Sequence, residues 1–205
     1  MAVNAVEFLD TVQRSVQPVA EGTRSLTLSL TVAAPIADVW DALTSAERIS
    51  RWFLPITGEL RTGGRYQLEG NAGGEVLSCD PPQSFDVTWE FGGENSRVGV
   101  NLSQSADGGT ALALEHAAAV DPERWDEYGP AAVGIGWDMV LLGLTWHVEN
   151  GIDTPVDNPQ WVFTDEAKAA MAGSSGLWAQ AAIAAGADAA LAHAAADRTT
   201  TFYTG

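Results

Sequence analysis

Apolar and polar residues alternate strictly along residues 25–32, where aliphatic side chains share one face and serine and threonine occupy the other. A period of two is typical of a strand buried on one side. Similar short runs follow at residues 57–61, 65–69, 75–79, 85–91, 97–103 and 110–116. Glycine pairs at residues 63–64, 73–74, 92–93 and 108–109 separate these runs, and glycine reaches the positive φ angles of hairpin turns. The pattern predicts an antiparallel sheet.

Other segments have apolar residues spaced three to four apart, which favours amphipathic helices. Residues 3–19 predict a first helix. Pro35 opens a second helix, since its missing N–H costs nothing there, and Ser45 caps a third that Pro55 ends. A short helical turn near residues 123–127 precedes a long apolar helix from residue 129 or 130 to about 150. The alanine-rich C-terminal region predicts two or three helices, at roughly 164–172, 175–185 and 188–201, after a loop at residues 153–159.

The amino-acid composition restricts the cellular compartment and the binding partners to expect. The 205 residues are 46% hydrophobic, enough for one globular domain with a core, and 27 acidic against 10 basic residues give a net charge of −17. That charge argues against nucleic acid and anionic membranes as partners. Asp138 within the long apolar helix favours a buried helix over a membrane span. Cys79 is the single cysteine, which excludes an internal disulfide, and without a secretory signal we expect a cytoplasmic protein.

Several motifs occur in an order that resembles the START-like superfamily, also called SRPBCC. They lie at residues 34–44, 52–53, 63–66, 81–82, 88–89, 109–116 and 136–144. Over about residues 24–150, the chain resembles a bacterial member of one subfamily. That subfamily is named for the C-terminal domain of the activator of the heat-shock-protein ATPase. The resemblance implies an α+β helix-grip fold, in which a curved antiparallel sheet wraps around a long C-terminal helix.

The residue pattern together with this resemblance divides the chain into three parts. Residues 1–20 are expected to form an N-terminal helix, residues 21–151 the START-like domain, and residues 152–205 a helical extension packed on it. The co-chaperones of the superfamily carry a separate N-terminal domain, and about twenty residues before the first strand leave no room for one. This departure from the co-chaperones weakens the expectation of heat-shock-protein activation, despite the subfamily's name.

The fold also predicts a cavity, because one long helix cannot fill a strongly curved sheet. Gly136 and Gly143 have no side chain, so they leave additional space beside the long helix. We expect the lining to be Trp52, Phe53, Tyr66, Trp89, Phe91, His116, Trp137, Leu141 and Leu144. Such a pocket suits a small hydrophobic or aromatic ligand, while ordinary core packing is the alternative explanation for each aromatic residue.

Two residues are weak candidates for catalysis. His116 continues the apolar face of Leu112 and Leu114, so its imidazole should point toward the long helix, where it can accept a proton. The alternative is a core histidine bonded to a backbone carbonyl or water. Asp138 opposite His116 would complete an acid/base pair, although it lies about 100° around the helix from Trp137. No cofactor or metal motif occurs, so neither is expected.

Three functions remain open from the sequence. The first is a binding module for a small apolar molecule. The second is an enzyme similar to aromatase/cyclases that uses His116. The third is a protein-interaction module of the co-chaperone kind, with a homodimer or a protein partner bound through the helical extension.

Overall fold

A computed structural model of the protein describes residues 4–153 and 160–205. Within them, eight strands form one antiparallel sheet in the order β1-β2-β8-β7-β6-β5-β4-β3. The strands are β1 (Gln13–Ala20), β2 (Thr23–Val32), β3 (Ile56–Gly58), β4 (Arg65–Leu68), β5 (Gly73–Asp80), β6 (Ser84–Phe91), β7 (Glu94–Gln104) and β8 (Thr110–Ala119). This is the helix-grip fold that the sequence predicts.

The helices lie at both ends of the chain and between β2 and β3. They are α1 (Ala5–Leu9), α2 (Ile36–Thr44), α3 (Ala46–Trp52), α4 (Pro122–Tyr128), α5 (Ala131–Asn150), α6 (Asp165–Ala184) and α7 (Ala189–Thr204). Helix α5 is long and apolar enough to cross a bilayer, but 67% of it is buried inside the protein. It is therefore the core helix that the sheet surrounds, and Gly151 ends it at a φ of 65°.

The prediction that residues 1–20 form one helix is wrong. Helix α1 ends at Leu9, and residues 13–20 form β1, which pairs with β2 along the edge of the sheet. Val12 and Val16 fit a helix and a strand equally well, because four residues complete both one helical turn and two strand repeats. Pro18 only limits a helix to the residues before it, since its ring clashes with the preceding turn. The pairing of residues 13–20 with β2 decides for the strand.

The extension contains two long helices, the smaller of the two numbers predicted. The expected break near residue 173 does not occur, and Gly173, Ser174, Ser175 and Gly176 lie inside α6. These residues are weak helix formers, but α6 packs on α1, β1 and α5 at this point, and tertiary packing overrides propensity. The loop predicted for residues 153–159 lies outside the described residues from position 154 onward.

Candidate ligand-binding site

A cavity of about 150 Å³ lies between the sheet and the helices α2, α3 and α5. Its floor comes from β4 to β8, and its roof includes Trp52 and Phe53 from the end of α3 and Trp137 and Leu141 from α5. The walls are almost entirely apolar side chains. Thr44, at the end of α2, and the exposed Cys79 are among the few lining residues with a polar group.

The register of the sheet explains the floor. Val76, Val87 and Val98 lie side by side on β5, β6 and β7, so one row of valines crosses the sheet. The next inward row runs from Cys79 through Phe85 and Val100 to Leu114. A bulge between Val76 and Ser78 shifts the alternation of β5, which exposes Leu77 and returns Cys79 to the inner face.

Most of the predicted lining residues lie in the cavity wall. They are Trp52, Phe53, Tyr66, Trp89, Trp137 and Leu141. These residues come from α3, β4, β6 and α5, which the fold brings together from distant parts of the chain. Their contact with a ligand stays a prediction.

Three predicted lining residues lie elsewhere. Phe91 is 57% exposed, because it sits at the hairpin end of β6, opposite Glu94 and beyond the cover of the helices. Leu144 is fully buried in the core and does not border the cavity. His116 is buried beside Trp89 and Trp137 and borders two clefts outside the cavity instead.

Several wall residues were missing from the sequence-based set. Phe85, Val87, Val98 and Val100 lie at alternate positions of the runs at residues 85–91 and 97–103, so the alternation of apolar residues was sufficient to find them. Cys79 carried no such signal, because a bulge of one residue cannot be read from the alternation alone.

The His116 side chain is hydrogen-bonded at both ring nitrogens. Trp137 Nε1 donates to His116 Nδ1 at 2.9 Å, so in the neutral ring the proton sits on Nε2. His116 Nε2 then donates to Ser96 Oγ at 2.8 Å, and Ser96 Oγ donates to the carbonyl of Trp89 at 3.1 Å. Burial lowers the pKa of His116 to about 4. The imidazole therefore holds Trp137 in place and has no free lone pair for a substrate proton.

Asp138 faces the extension and does not pair with His116. Its carboxylate is fully buried and accepts hydrogen bonds from Arg14 Nη2 at 2.8 Å, Ser174 Oγ at 2.6 Å and Trp178 Nε1 at 3.0 Å. The predicted acid/base pair is thus wrong, because the rotation of about 100° from Trp137 directs Asp138 to another face of α5. We call Asp138, Arg14, Ser174 and Trp178 the Asp138 cluster.

His147, near the end of α5, also contacts neighbouring side chains through both ring nitrogens. Arg48 Nε donates to His147 Nε2 at 2.8 Å, and His147 Nδ1 lies 2.8 Å from Asp153 Oδ1. These contacts join α3 to the end of α5. His193 is exposed on α7. Across residues 4–153 and 160–205, no group of three His, Cys, Asp or Glu side chains has the geometry to hold a metal ion.

Acidification should weaken the fold through His116. The pKa of His116 lies near 4 in the folded protein and near 6.5 in the unfolded chain, so only the unfolded chain takes up the proton between these values. The stability that the neutral ring contributes is present above pH 6.5 and is lost as the pH falls toward 4. Urea unfolding at pH 7 and pH 5 should show a larger loss of stability in the wild type than in His116→Gln.

His193→Gln provides the matched control for this measurement, because His193 is exposed. It should retain the pH dependence of the wild type. An identical pH dependence in wild type and His116→Gln would show that His116 does not titrate as described.

Comparison with known proteins decides the family. Residues 33–149 match the family of activator of Hsp90 ATPase homolog 1-like proteins, which is more than half of the chain. The chain belongs to this family. The START-like resemblance inferred from the sequence is thereby confirmed, and proteins of this fold bind hydrophobic ligands or act as cyclases. No curated protein is significantly similar to the chain.

Solved structures show the same architecture. CalU16 from Micromonospora echinospora is 30% identical, and its crystal structure matches 83% of this chain and 97% of its own with a TM-score of 0.66. The solution structure of CalU16 matches 85% and 96% of the two chains, also at 30% identity, with a TM-score of 0.69. EF2215 from Enterococcus faecalis, at 16% identity, shares the fold alone, with a TM-score of 0.58 over 83% of this chain and 94% of its own.

Proposed function

We propose that the protein binds a small hydrophobic or aromatic molecule in the cavity between the sheet and α5. The observation that carries this proposal is the apolar wall, built from aromatic and aliphatic side chains around about 150 Å³ of space. An apolar cavity of this size stays dry and accepts a benzene-sized group. Among the described residues, no fully buried side-chain nitrogen or oxygen lacks a hydrogen-bond partner, so the folded protein does not depend on a ligand to satisfy one.

The polar atoms of two aromatic wall residues are already bonded to the protein. Tyr66 donates its hydroxyl to the carbonyl of Thr88 at 2.7 Å, and Trp52 Nε1 donates to the carbonyl of Ala42 at 3.0 Å. A charged ligand group would lose its hydration in this cavity without gaining a partner, which is unfavourable by several kcal/mol. The ligand portion in the cavity is therefore uncharged and is recognised by its shape.

Val87→Phe tests the proposal, because Val87 lies in the middle of the valine row on the cavity floor. A phenyl ring there occupies the space that a ligand ring would take. We expect the affinity for toluene to fall by at least about tenfold, since a buried ring contributes roughly 1.5–3 kcal/mol. Isothermal titration calorimetry measures the affinity, and circular dichroism verifies the fold.

The same substitution at an exposed position is the control. Val19 is 57% exposed on β1, outside the cavity wall, and Val19→Phe should bind toluene like the wild type. Equal affinities in Val87→Phe and wild type would place the ligand elsewhere, and no binding to the wild type would overturn the proposal.

The other two functions have less support. An enzyme using His116 is not favoured, because both ring nitrogens are bonded and Asp138 points away. An interaction through the extension stays a prediction, to which the structure adds Leu191 and Phe202, large apolar side chains 70% and 74% exposed on α7.

A further inference from the structure

A second space adjoins the cavity on the outer side of Trp137. It is a cleft of about 510 Å³ between the N-terminal half of α5, the turn between β4 and β5, and the extension. Gly136 faces it, and a Cβ built on Gly136 would meet no atom within 4 Å. The extension provides Trp161, Val162, Met171 and Tyr203 to the wall. We call this space the outer cleft and the cavity the inner chamber.

Fixed contacts hold the extension side of the outer cleft in place. The Tyr203 hydroxyl donates to the carbonyl of Ala132 on α5 at 2.9 Å. The Trp161 ring packs edge-on against Trp146 of α5, with ring centroids 5.7 Å apart. Both contacts join the extension directly to the helix that also roofs the inner chamber. The cleft is therefore formed before any ligand arrives, as binding sites usually are.

The inner chamber and the outer cleft share a border. Phe53, Trp89, Trp137 and Val140 line both spaces, so the inner chamber and the outer cleft meet at these side chains. Size adds a second argument. Ligand sites usually measure about 300–1,000 Å³, and the inner chamber alone is smaller than that range. With the outer cleft included, the site falls inside it.

We propose that one elongated, apolar ligand with two linked ring systems occupies both spaces, one ring in the inner chamber and the larger part in the outer cleft against Gly136. This inference rests on the proposed binding function and names the shape of its ligand. Glu69 is the charged residue that borders the outer cleft, and the protein carries a net charge of −17. The outer end of the ligand is therefore neutral or cationic, since an anion would be repelled.

Two probes and one substitution test this proposal. Toluene has a single ring, whereas N-phenyl-1-naphthylamine is neutral and joins a phenyl ring to a naphthyl ring. Gly136→Leu places a side chain in the part of the outer cleft next to α5, and residue 136 does not line the inner chamber. It should lower the affinity for N-phenyl-1-naphthylamine by at least about tenfold and leave the affinity for toluene unchanged. Fluorescence titration measures the first affinity and calorimetry the second.

Gly176 provides a matched control within α6. It is also a helical glycine whose Cβ would meet nothing within 4 Å, and it borders neither space. Gly176→Leu should therefore bind both probes like the wild type. Toluene should also compete with N-phenyl-1-naphthylamine for the wild type, because both place a ring in the inner chamber.

The possible failures are distinguishable. Binding of both probes without competition, or an unchanged affinity for N-phenyl-1-naphthylamine in Gly136→Leu, would overturn the two-space site and leave the proposed function standing. An equal loss of both probes in Gly136→Leu would also overturn it, since the spaces would then not be separate. If the wild type binds neither probe, the proposed function fails together with this inference.

Discussion

Replacing Asp138 by alanine should lower the free energy of unfolding by about 3–5 kcal/mol. Asp138 is fully buried, and the side chain of Arg14 beside it is only 4% exposed. The substitution leaves the guanidinium buried without a counter-charge, and Ser174 and Trp178 lose their acceptor. Each of these losses is unfavourable, because no water replaces the missing oxygen atoms.

Urea unfolding of wild type and Asp138→Ala measures this difference. Glu47→Ala is the control, because it removes an ion pair with Arg51 on the surface, where Glu47 is 80% exposed, and should change stability by less than about 1 kcal/mol. Adding Arg14→Leu to Asp138→Ala should recover part of the loss by removing the unpaired charge. A loss below about 1 kcal/mol in Asp138→Ala would show that the cluster does not anchor the extension.

Much of the fold could be predicted because its signals are local. The alternation in residues 25–32 and the apolar run of α5 each specify one element, and the motif order specifies how the elements assemble. The edge strand β1 could not be predicted in this way. Its sequence is compatible with a helix until the unpaired edge of β2 is considered, and that edge exists only in the folded sheet.

The Asp138 cluster could not be predicted either, because Arg14 belongs to β1, the strand that the sequence did not reveal. Arg14 pairs with Leu28 across β1 and β2, so it lies on the inner face of the sheet, where a buried cation requires a carboxylate. Once residues 13–20 are assigned to a strand, the need for an acidic partner follows. If residues 13–20 are assigned to a helix, nothing indicates that Arg14 is buried. Asp138 then has no predicted partner except His116, and that pairing is wrong.

The candidate site also contains both residues that could be predicted and residues that could not. Residues in the middle of strands and helices, such as Tyr66 and Trp137, lie where the periodicity places them. Phe91 has the correct face but lies at a strand end, where no helix covers it. The outer cleft was not predicted at all, because part of its wall comes from the extension, which lies beyond the family domain.

Gly134→Ala and Gly136→Ala should change stability in opposite directions. Both positions lie in α5, so the gain in helix propensity is about the same, near 1 kcal/mol. At Gly136 the new methyl group meets no atom within 4 Å, and the gain should appear in full. At Gly134 the methyl group would overlap the indole ring of Trp178, which is fully buried and must move.

That displacement should make Gly134→Ala less stable than the wild type by about 2–4 kcal/mol. Overpacking contributes roughly 1–3 kcal/mol, and the strained hydrogen bond from Trp178 to Asp138 adds to it. Urea unfolding gives both values, and near-ultraviolet circular dichroism should change only in Gly134→Ala. If both substitutions stabilise the protein, Trp178 does not pack against Gly134, and the extension that forms the wall of the outer cleft is held by other contacts.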